Sequence, residues 1–182
     1  NYFELVSLWG DVPLVLDDIP PASYTSTGRT AKAQVYAQIE KDLTEAINLL
    51  PATISLATEG GRLTKGAAKA LLGKVYLYEK KNALAAQQLA DVNGPTPGGT
   101  SAYGYKLLTN FSDLWVVDNK FNTESIFEET HSAQGNSDWG FWGSGRDEGN
   151  TFNVMSGPRS YQKKEASAPD LPSGWAFSII TQ

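Results

Sequence analysis

The stretch that decides the fold is Arg62–Gly94, RLTKGAAKALLGKVYLYEKKNALAAQQLADVNG. Apolar side chains recur in it at helical spacing, which predicts a helix that begins after Thr64, a favourable N-cap residue. The polar run at 80–82 interrupts this pattern. A second apolar series then continues to Gly94, where glycine suits the end of a helix. The sequence therefore predicts a hairpin of two helices.

A row of small side chains marks the first of these helices. Ala67, Ala70 and Gly73 lie three positions apart and so share one face of the helix. Small residues in a row let a second helix approach closely. We therefore predict that Gly73 lies at a close helix–helix contact, where any larger side chain would push the partner helix away.

The spacing also resembles the tetratricopeptide pattern L-G-x-x-Y…A-x-x-x-F…P. The matching positions are Leu72-Gly73, Tyr76, Ala85, Leu89 and Pro97, with Leu89 in place of the usual aromatic and Lys69 in place of the usual Trp. An ordinary amphipathic hairpin with coincidental matches is the alternative. Because a repeat of this kind cannot bury its apolar face alone, we expect partner helices on both sides of it.

Composition excludes several classes of function. The net charge of −5 argues against nucleic-acid binding, which needs a basic patch for the phosphates. Cysteine is absent, so the chain has no disulfide framework and no thiol nucleophile. His131 is the only histidine, and no nucleophile elbow, Walker loop or metal-ligand motif occurs. We therefore expect no catalytic residue, no metal site and no cofactor. No apolar run reaches membrane-spanning length.

The segment before the hairpin predicts two further helices separated by a long loop. Tyr2–Trp9 has the pattern of the end of a helix, and an irregular loop follows over residues 10–30. A second helix is predicted from about Thr30 to Leu50, because apolar residues again recur at helical spacing and Pro51 stops it. Trp9 lies on the helical pattern, and we expect it in the core.

After the hairpin the helical period fades. Asn110–Trp115 predicts one short helix with Trp115 in the core, and Glu124–Thr130 predicts a short strand or an extended edge. Few periodic positions follow. We therefore predict two parts, a mainly α scaffold of residues 1–130 and an irregular, loop-rich segment of residues 131–182.

An ordered series of motifs runs through residues 1–130: Leu8-Trp9-Gly10-Asp11-Val12-Pro13-Leu14, Arg29-Thr30, Gly61-Arg62-Leu63-Thr64-Lys65-Gly66-Ala67-Ala68, Leu71-Leu72-Gly73-Lys74-Val75-Tyr76-Leu77-Tyr78 and Glu124-Ser125-Ile126-Phe127-Glu128. In this order the motifs resemble the SusD/RagB family, the outer-membrane glycan-binding lipoproteins of Gram-negative bacteria. The resemblance implies a SusD-like α superhelix, a tetratricopeptide-type scaffold whose variable, loop-rich part carries the ligand site.

The resemblance also implies a function and a place in the cell. Such a protein captures oligosaccharide at the cell surface, without catalysis, and delivers it to a SusC-like TonB-dependent outer-membrane transporter. Family members are longer than 182 residues, and this chain begins with Asn1 rather than Met. We therefore expect a central fragment, with an N-terminal lipid anchor outside the chain as its only membrane attachment.

The Gly-rich segment Gln134–Gly149, QGNSDWGFWGSGRDEG, contains the candidate ligand site. Sugar rings present apolar C–H faces that stack on flat aromatic side chains, and their hydroxyls need amide, carboxylate and guanidinium partners. The residues that supply this mixture are Asn136, Asp138, Trp139, Phe141, Trp142 and Arg146. The alternative is that Trp139 and Trp142 anchor the loop onto the helices, and both interpretations stay open.

Two other functions stay open at this point. A peptide-binding tetratricopeptide module would use a concave helical face, with Arg62, Lys65 and Lys69 holding a carboxylate. A glycoside hydrolase would need a carboxylate pair such as Asp147-Glu148. Adjacent residues on a Gly-rich loop are a poor platform for that chemistry, because the two carboxyl groups must be held at a fixed separation.

Overall fold

The structure is a computed structural model that describes residues 1–130 and 159–168. The chain divides into two compact units, Asn1–Glu128 and Glu129–Gln182. The helices of the described residues are α1 (Tyr2–Trp9), α2 (Lys32–Leu49), α3 (Leu56–Glu59), α4 (Lys65–Tyr78) and α5 (Asn82–Asn93), with 3₁₀ turns at Pro21–Ser23 and Phe111–Trp115. The mainly α fold class is therefore confirmed. Over these same ranges, no helix combines the length and the apolar character needed to cross a membrane.

Helices α4 and α5 form the predicted hairpin and pack against each other. The Thr64 hydroxyl accepts a hydrogen bond from the Ala67 N–H at 3.3 Å and so caps α4. Gly94 ends α5 with φ +84°, a backbone conformation that favours glycine. Gly73 lies against Leu89, since a Cβ added at Gly73 would come within 2.6 Å of the Leu89 side chain. The caps and the close contact are as predicted.

Helix α2 packs on α4, and α1 packs on α2, so the core forms where these helices meet. One buried cluster joins Val6, Val12, Val35, Tyr36, Ile39 and Val75, and a second joins Leu72, Tyr76 and Ala85. Each of Val6, Val35 and Val75 is fully buried. The hairpin therefore buries its apolar face against α2, as expected for a unit that cannot be stable alone.

The long loop of residues 10–30 is tied to the helices at both ends. The Thr30 N–H donates to the Val12 carbonyl at 2.9 Å, in an isolated antiparallel bridge. The Asp11 carboxylate accepts from the Lys32 N–H at 2.8 Å, at the first residue of α2. An acidic group there also favours the helix dipole. These contacts set the start of α2 two residues after the predicted position at Thr30.

Both Trp residues that we expected in the core of the described segments are exposed. Trp9 is 65% exposed, because α1 presents Val6 to the core with Phe3 packed beside it. Trp115 is 74% exposed, because its segment is a single 3₁₀ turn and has no continuous apolar face. Its ring packs edge to face with that of Phe111, with the centroids 6.1 Å apart. The core assignment was wrong at both positions.

Of the two alternatives predicted for Glu124–Thr130, a short strand or an extended edge, the strand is wrong. The chain there forms turns and bends. Side-chain bonds hold it in place instead of a ladder: Glu124 Oε2 accepts from the Leu108 N–H at 2.9 Å, and Glu128 Oε2 accepts from the Phe121 N–H at 2.8 Å. Each carboxylate therefore bonds the main chain of a distant turn, which leaves the segment without a strand partner.

Candidate functional site

The predicted ligand site lies outside the described residues. This applies to each of its members, Asn136, Asp138, Trp139, Phe141, Trp142 and Arg146. Their contact with sugar stays a prediction, as does the alternative that Trp139 and Trp142 anchor the loop. Within the described residues, several cavities adjoin the turn-rich segment that follows α5. One of about 280 Å³ lies at the end of α5, with Val92 and Leu107 among its walls. Two others bear on ligand binding and are described in turn.

The first cavity has a volume of about 230 Å³ and lies beside the start of α4, with Leu56, Phe121 and Phe127 among its walls. Phe121 adopts φ +54°, a strained conformation for a bulky residue, and its ring lies over Gly60. A Cβ at Gly60 would come within 2.8 Å of that ring. The absence of a side chain at this glycine therefore makes room for the wall of the cavity.

The polar groups around the first cavity are largely engaged with one another. The hydroxyls of Thr64 and Tyr105 share a hydrogen bond of 2.9 Å. The Arg62 guanidinium donates to Glu59 at 2.8 Å. This cavity therefore combines aromatic and aliphatic walls with polar groups of which several are already hydrogen-bonded.

The second cavity is an open groove of about 560 Å³ beside Trp115. We call it the Trp115 groove and define it by Trp115, Val116, Asn119, Lys120, Glu124 and Glu128, all of which line it. Its volume lies within the range typical of small-molecule sites. It combines one broad aromatic side chain with an amide, an ammonium and two carboxylates.

Turns built from asparagines shape the Trp115 groove. The Asn119 amide donates to the Asp113 carbonyl at 2.9 Å. The Asn122 amide donates to the Asn119 carbonyl and accepts from the Glu124 N–H, both at 2.9 Å. Together with the main-chain bonds of the two carboxylates, these contacts fix the walls in one arrangement. The groove is therefore preorganised by its own local hydrogen bonds.

The basic side chains proposed for a peptide carboxylate are mostly occupied. Lys69 is bonded to Asp91 of α5, and its side chain is only 16% exposed. The hydrogen bond to Asp91 raises the pKa of Lys69, with a further contribution from Tyr103, against the opposing effect of burial. Arg62 is paired with Glu59. Two of the three proposed cations therefore already have carboxylate or phenol partners.

A carboxylate pair bridged by a lysine lies where α2 and the hairpin meet. Lys81 binds both Glu40 and Glu79. Burial, and then a hydrogen bond with Glu40, raises the pKa of Glu79. Burial alone would raise the pKa of Glu40 as well, but its hydrogen bonds with Glu79 and Lys81 lower it overall. Neither carboxylate lines the two cavities, so this cluster joins helices.

Within the described ranges, no three acidic or histidine side chains lie close enough together to hold a metal ion.

The Trp115 groove was not predicted from the sequence, because Trp115 was assigned to a helical core. The signal that could have revealed it is the run Val117-Asp118-Asn119-Lys120 directly after the short helix. Asp-Asn turns break the helical period there and place the preceding Trp at a surface turn.

Comparisons with known proteins agree on one family. Residues 1–77 match a SusD-like family model described as "Starch-binding associating with outer membrane". A SusD-like protein of Bacteroides ovatus is 29% identical over 136 residues, which cover 69% of this chain and 23% of that protein. The chain spans 22% and 23% of the lengths of two curated SusD-like relatives that it matches.

Solved structures extend the likeness over nearly all of the chain. A laminarin binding SusD-like protein is 54% identical and superposes with a TM-score of 0.87, covering 96% of this chain and 38% of that one. A crystal structure with xylogluco-oligosaccharide is 26% identical, with a TM-score of 0.61, and covers 85% of this chain and 30% of that one. Both likenesses include the helical scaffold described above.

Proposed function

This chain belongs to the SusD/RagB family, and from that premise we propose that the protein binds oligosaccharide at the cell surface without cleaving it. The observation that carries the proposal is the 54% identity to a laminarin binding SusD-like protein over 96% of this chain. The similarity to a structure with xylogluco-oligosaccharide supports the same class of ligand. Laminarin is therefore the first glycan to test.

The proposed site includes the Gln134–Asn150 loop. Trp139 and Trp142 would each offer a face to a sugar ring, and Asn136, Asp138 and Arg146 would meet its hydroxyls. Contacts of this kind are shallow and wet. The expected dissociation constant is therefore weak, about micromolar to millimolar, or roughly −8 to −4 kcal/mol.

The proposal extends to a partner and a location. The family description, starch binding in association with the outer membrane, supports an outer-membrane location. Delivery of the ligand to a SusC-like TonB-dependent transporter is the part of the proposal that rests on the resemblance to the SusD/RagB family. Protease treatment of intact cells should digest the protein if it faces outward. Its solubilised form should co-purify with a TonB-dependent transporter, and purification alone in mild detergent would contradict the partnership.

The contacts of the scaffold disfavour the two other functions. A peptide-binding face needs free cations, whereas Lys69 and Arg62 are held by Asp91 and Glu59. A glycoside hydrolase needs two carboxyl groups held at a fixed separation beside a groove. Glu40 and Glu79 are instead bridged by Lys81 at a helix junction, and Glu124 and Glu128 of the Trp115 groove each bond a main-chain N–H. The pair Asp147-Glu148 lies outside the described residues. A binding protein without hydrolytic activity accounts better for both arrangements.

A double substitution tests the proposed site. Trp139→Ala combined with Trp142→Ala should remove most laminarin binding measured by calorimetry, while the helical circular-dichroism signal stays intact. Trp9→Ala is the matched control, because Trp9 is an exposed Trp on α1 and should not affect binding. Loss of the fold in the double variant would show that the rings anchor the loop. An intact fold with unchanged affinity would place the site elsewhere.

A further inference from the structure

Trp115 and Phe111 form a solvent-exposed aromatic surface on the scaffold. They are 74% and 73% exposed, and their rings meet edge to face with the centroids 6.1 Å apart. An edge-to-face pair covers at most one face of one of the two rings, so most of the Trp115 indole stays accessible to a ligand, in line with its 74% exposure. Exposed aromatic side chains grouped on a turn are a common mark of a binding surface.

Unused polar atoms line the groove beside this ring. Oε2 of Glu124 and Oε2 of Glu128 each accept a hydrogen bond from a main-chain N–H. Among the described residues, no donor bonds to the Oε1 atom of either carboxylate. The amide nitrogen of the Asn119 side chain donates to the Asp113 carbonyl. Among the described residues, the amide oxygen of Asn119 has no hydrogen-bond donor. Lys120 is exposed and forms no ion pair within that part of the chain. The groove therefore offers both acceptors and donors to a ligand.

The charge of the groove selects among polar ligands. One ammonium, Lys120, and two carboxylates, Glu124 and Glu128, line the groove, so the lining has a net negative charge. The chain as a whole carries a net charge of −5. An anionic ligand such as a uronate or a sulfated sugar would be repelled, since like charges at close range are unfavourable. A neutral polyol with apolar C–H faces fits both the ring and the polar walls.

From this geometry we propose that the Trp115 groove is a second oligosaccharide-contact site that prefers neutral glycans and lies outside the Gln134–Asn150 loop. The inference rests on the proposed function of the protein as a glycan binder. A sugar ring stacks on the Trp115 indole, and its hydroxyls bond to Asn119, Lys120 and the free carboxylate oxygens. The first cavity is less suited to this role, because none of the described Trp residues lines it and its Thr64 and Tyr105 hydroxyls bond to each other.

Calorimetry with laminarin oligosaccharides tests the groove, using the full chain with one substitution at a time. Trp115→Ala should weaken binding by about threefold to tenfold, the effect of losing one stacked ring. Trp115→Phe keeps a flat face and should bind within about twofold of the unaltered protein. Trp9→Ala, the matched exposed Trp on α1, should leave the affinity unchanged. Alginate oligosaccharides, which are anionic, should bind more weakly than laminarin oligosaccharides.

Each contrary result has a definite meaning. The Trp115→Ala variant could keep its affinity while the Trp139→Ala and Trp142→Ala double variant loses binding. That result would contradict glycan binding at the Trp115 groove and would leave the proposed function of the protein intact. Failure of the unaltered protein to bind laminarin or any other neutral glycan on an array would overturn the proposed function and the groove with it. A melting midpoint several degrees lower in Trp115→Ala would show a structural residue and would also overturn the proposal. Tighter binding of alginate would contradict the preference for neutral glycans.

Discussion

At the scale of single residues, two contacts of the hairpin decide how closely its helices approach. Gly73 has no side chain, and Leu89 can therefore lie against the backbone of α4. Thr64 is buried and uses one hydroxyl for two purposes, the cap of α4 and a bond to Tyr105. Both residues were identifiable in the sequence, because spacing within a helix and capping at its end are local properties.

Gly73→Leu should destabilise the protein by about 1–3 kcal/mol, because the new side chain would overpack the contact with Leu89. The free energy of unfolding measured in urea gives the size of the effect. Gly28→Leu is the control, since a Cβ at Gly28 would meet nothing within 4 Å. Adding Leu89→Ala should restore part of the loss. Equal stability of Gly73→Leu and the unaltered protein would contradict the close contact.

Thr64→Ala should lower the free energy of unfolding by about 0.5–2 kcal/mol, since it removes the side-chain cap of α4 and leaves the half-buried Tyr105 hydroxyl without its Thr64 partner. Thr64→Ser keeps the hydroxyl and should lose much less. Thermal unfolding of the two variants side by side separates the hydroxyl from the methyl group. If serine and alanine destabilise equally, the cap does not account for the stability.

At the scale of elements, the parts that could be predicted are those fixed by local pattern. Helices α2, α4 and α5 lie within about two residues of their predicted bounds. The turns of residues 103–128 depend on bonds between distant positions, such as Lys106 N–H to the Thr123 carbonyl and Leu108 N–H to Glu124. Such bonds leave no periodic signal, which is why the strand and the core position of Trp115 were predicted wrongly.

The junction of α2 with the hairpin should respond to pH. A raised pKa for Glu79 means that the folded state holds this proton more tightly than the unfolded state. Its contribution to stability is therefore present at low pH and is lost as pH rises through the folded-state pKa. Glu79→Gln removes that loss and should raise the melting midpoint at pH 8, relative to the unaltered protein, more than at pH 5.

Glu40→Gln is the matched variant at the other carboxylate. The pKa of Glu40 is lowered by Glu79 and Lys81, despite the effect of burial, so its charged form stabilises the folded state above the ordinary carboxyl range. Removing that charge should lower the melting midpoint at neutral pH, because Lys81 loses one of its two carboxylate partners. The same direction of change in both variants at pH 8 would contradict the assigned roles.

At the scale of the whole molecule, the scaffold and its family follow from the helical hairpin and the ordered motifs of residues 1–130. The likeness to a laminarin binding SusD-like protein continues over 96% of the chain. The ligand site is less predictable, because the sequence around its candidate residues has no periodic pattern that would fix where their side chains lie. The described residues contribute one candidate contact surface, the Trp115 groove, and the aromatic loop at 134–150 contributes the other by prediction.

The central claim is that this protein binds oligosaccharide and leaves it intact. The most direct measurement is a calorimetric titration of the protein with laminarin oligosaccharides, followed by an assay of reducing ends in the same sample. The account predicts saturable binding with a dissociation constant of about micromolar to millimolar and no new reducing ends. A rise in reducing ends would show a glycoside hydrolase, and the absence of heat with laminarin and with a panel of other neutral glycans would contradict glycan binding altogether.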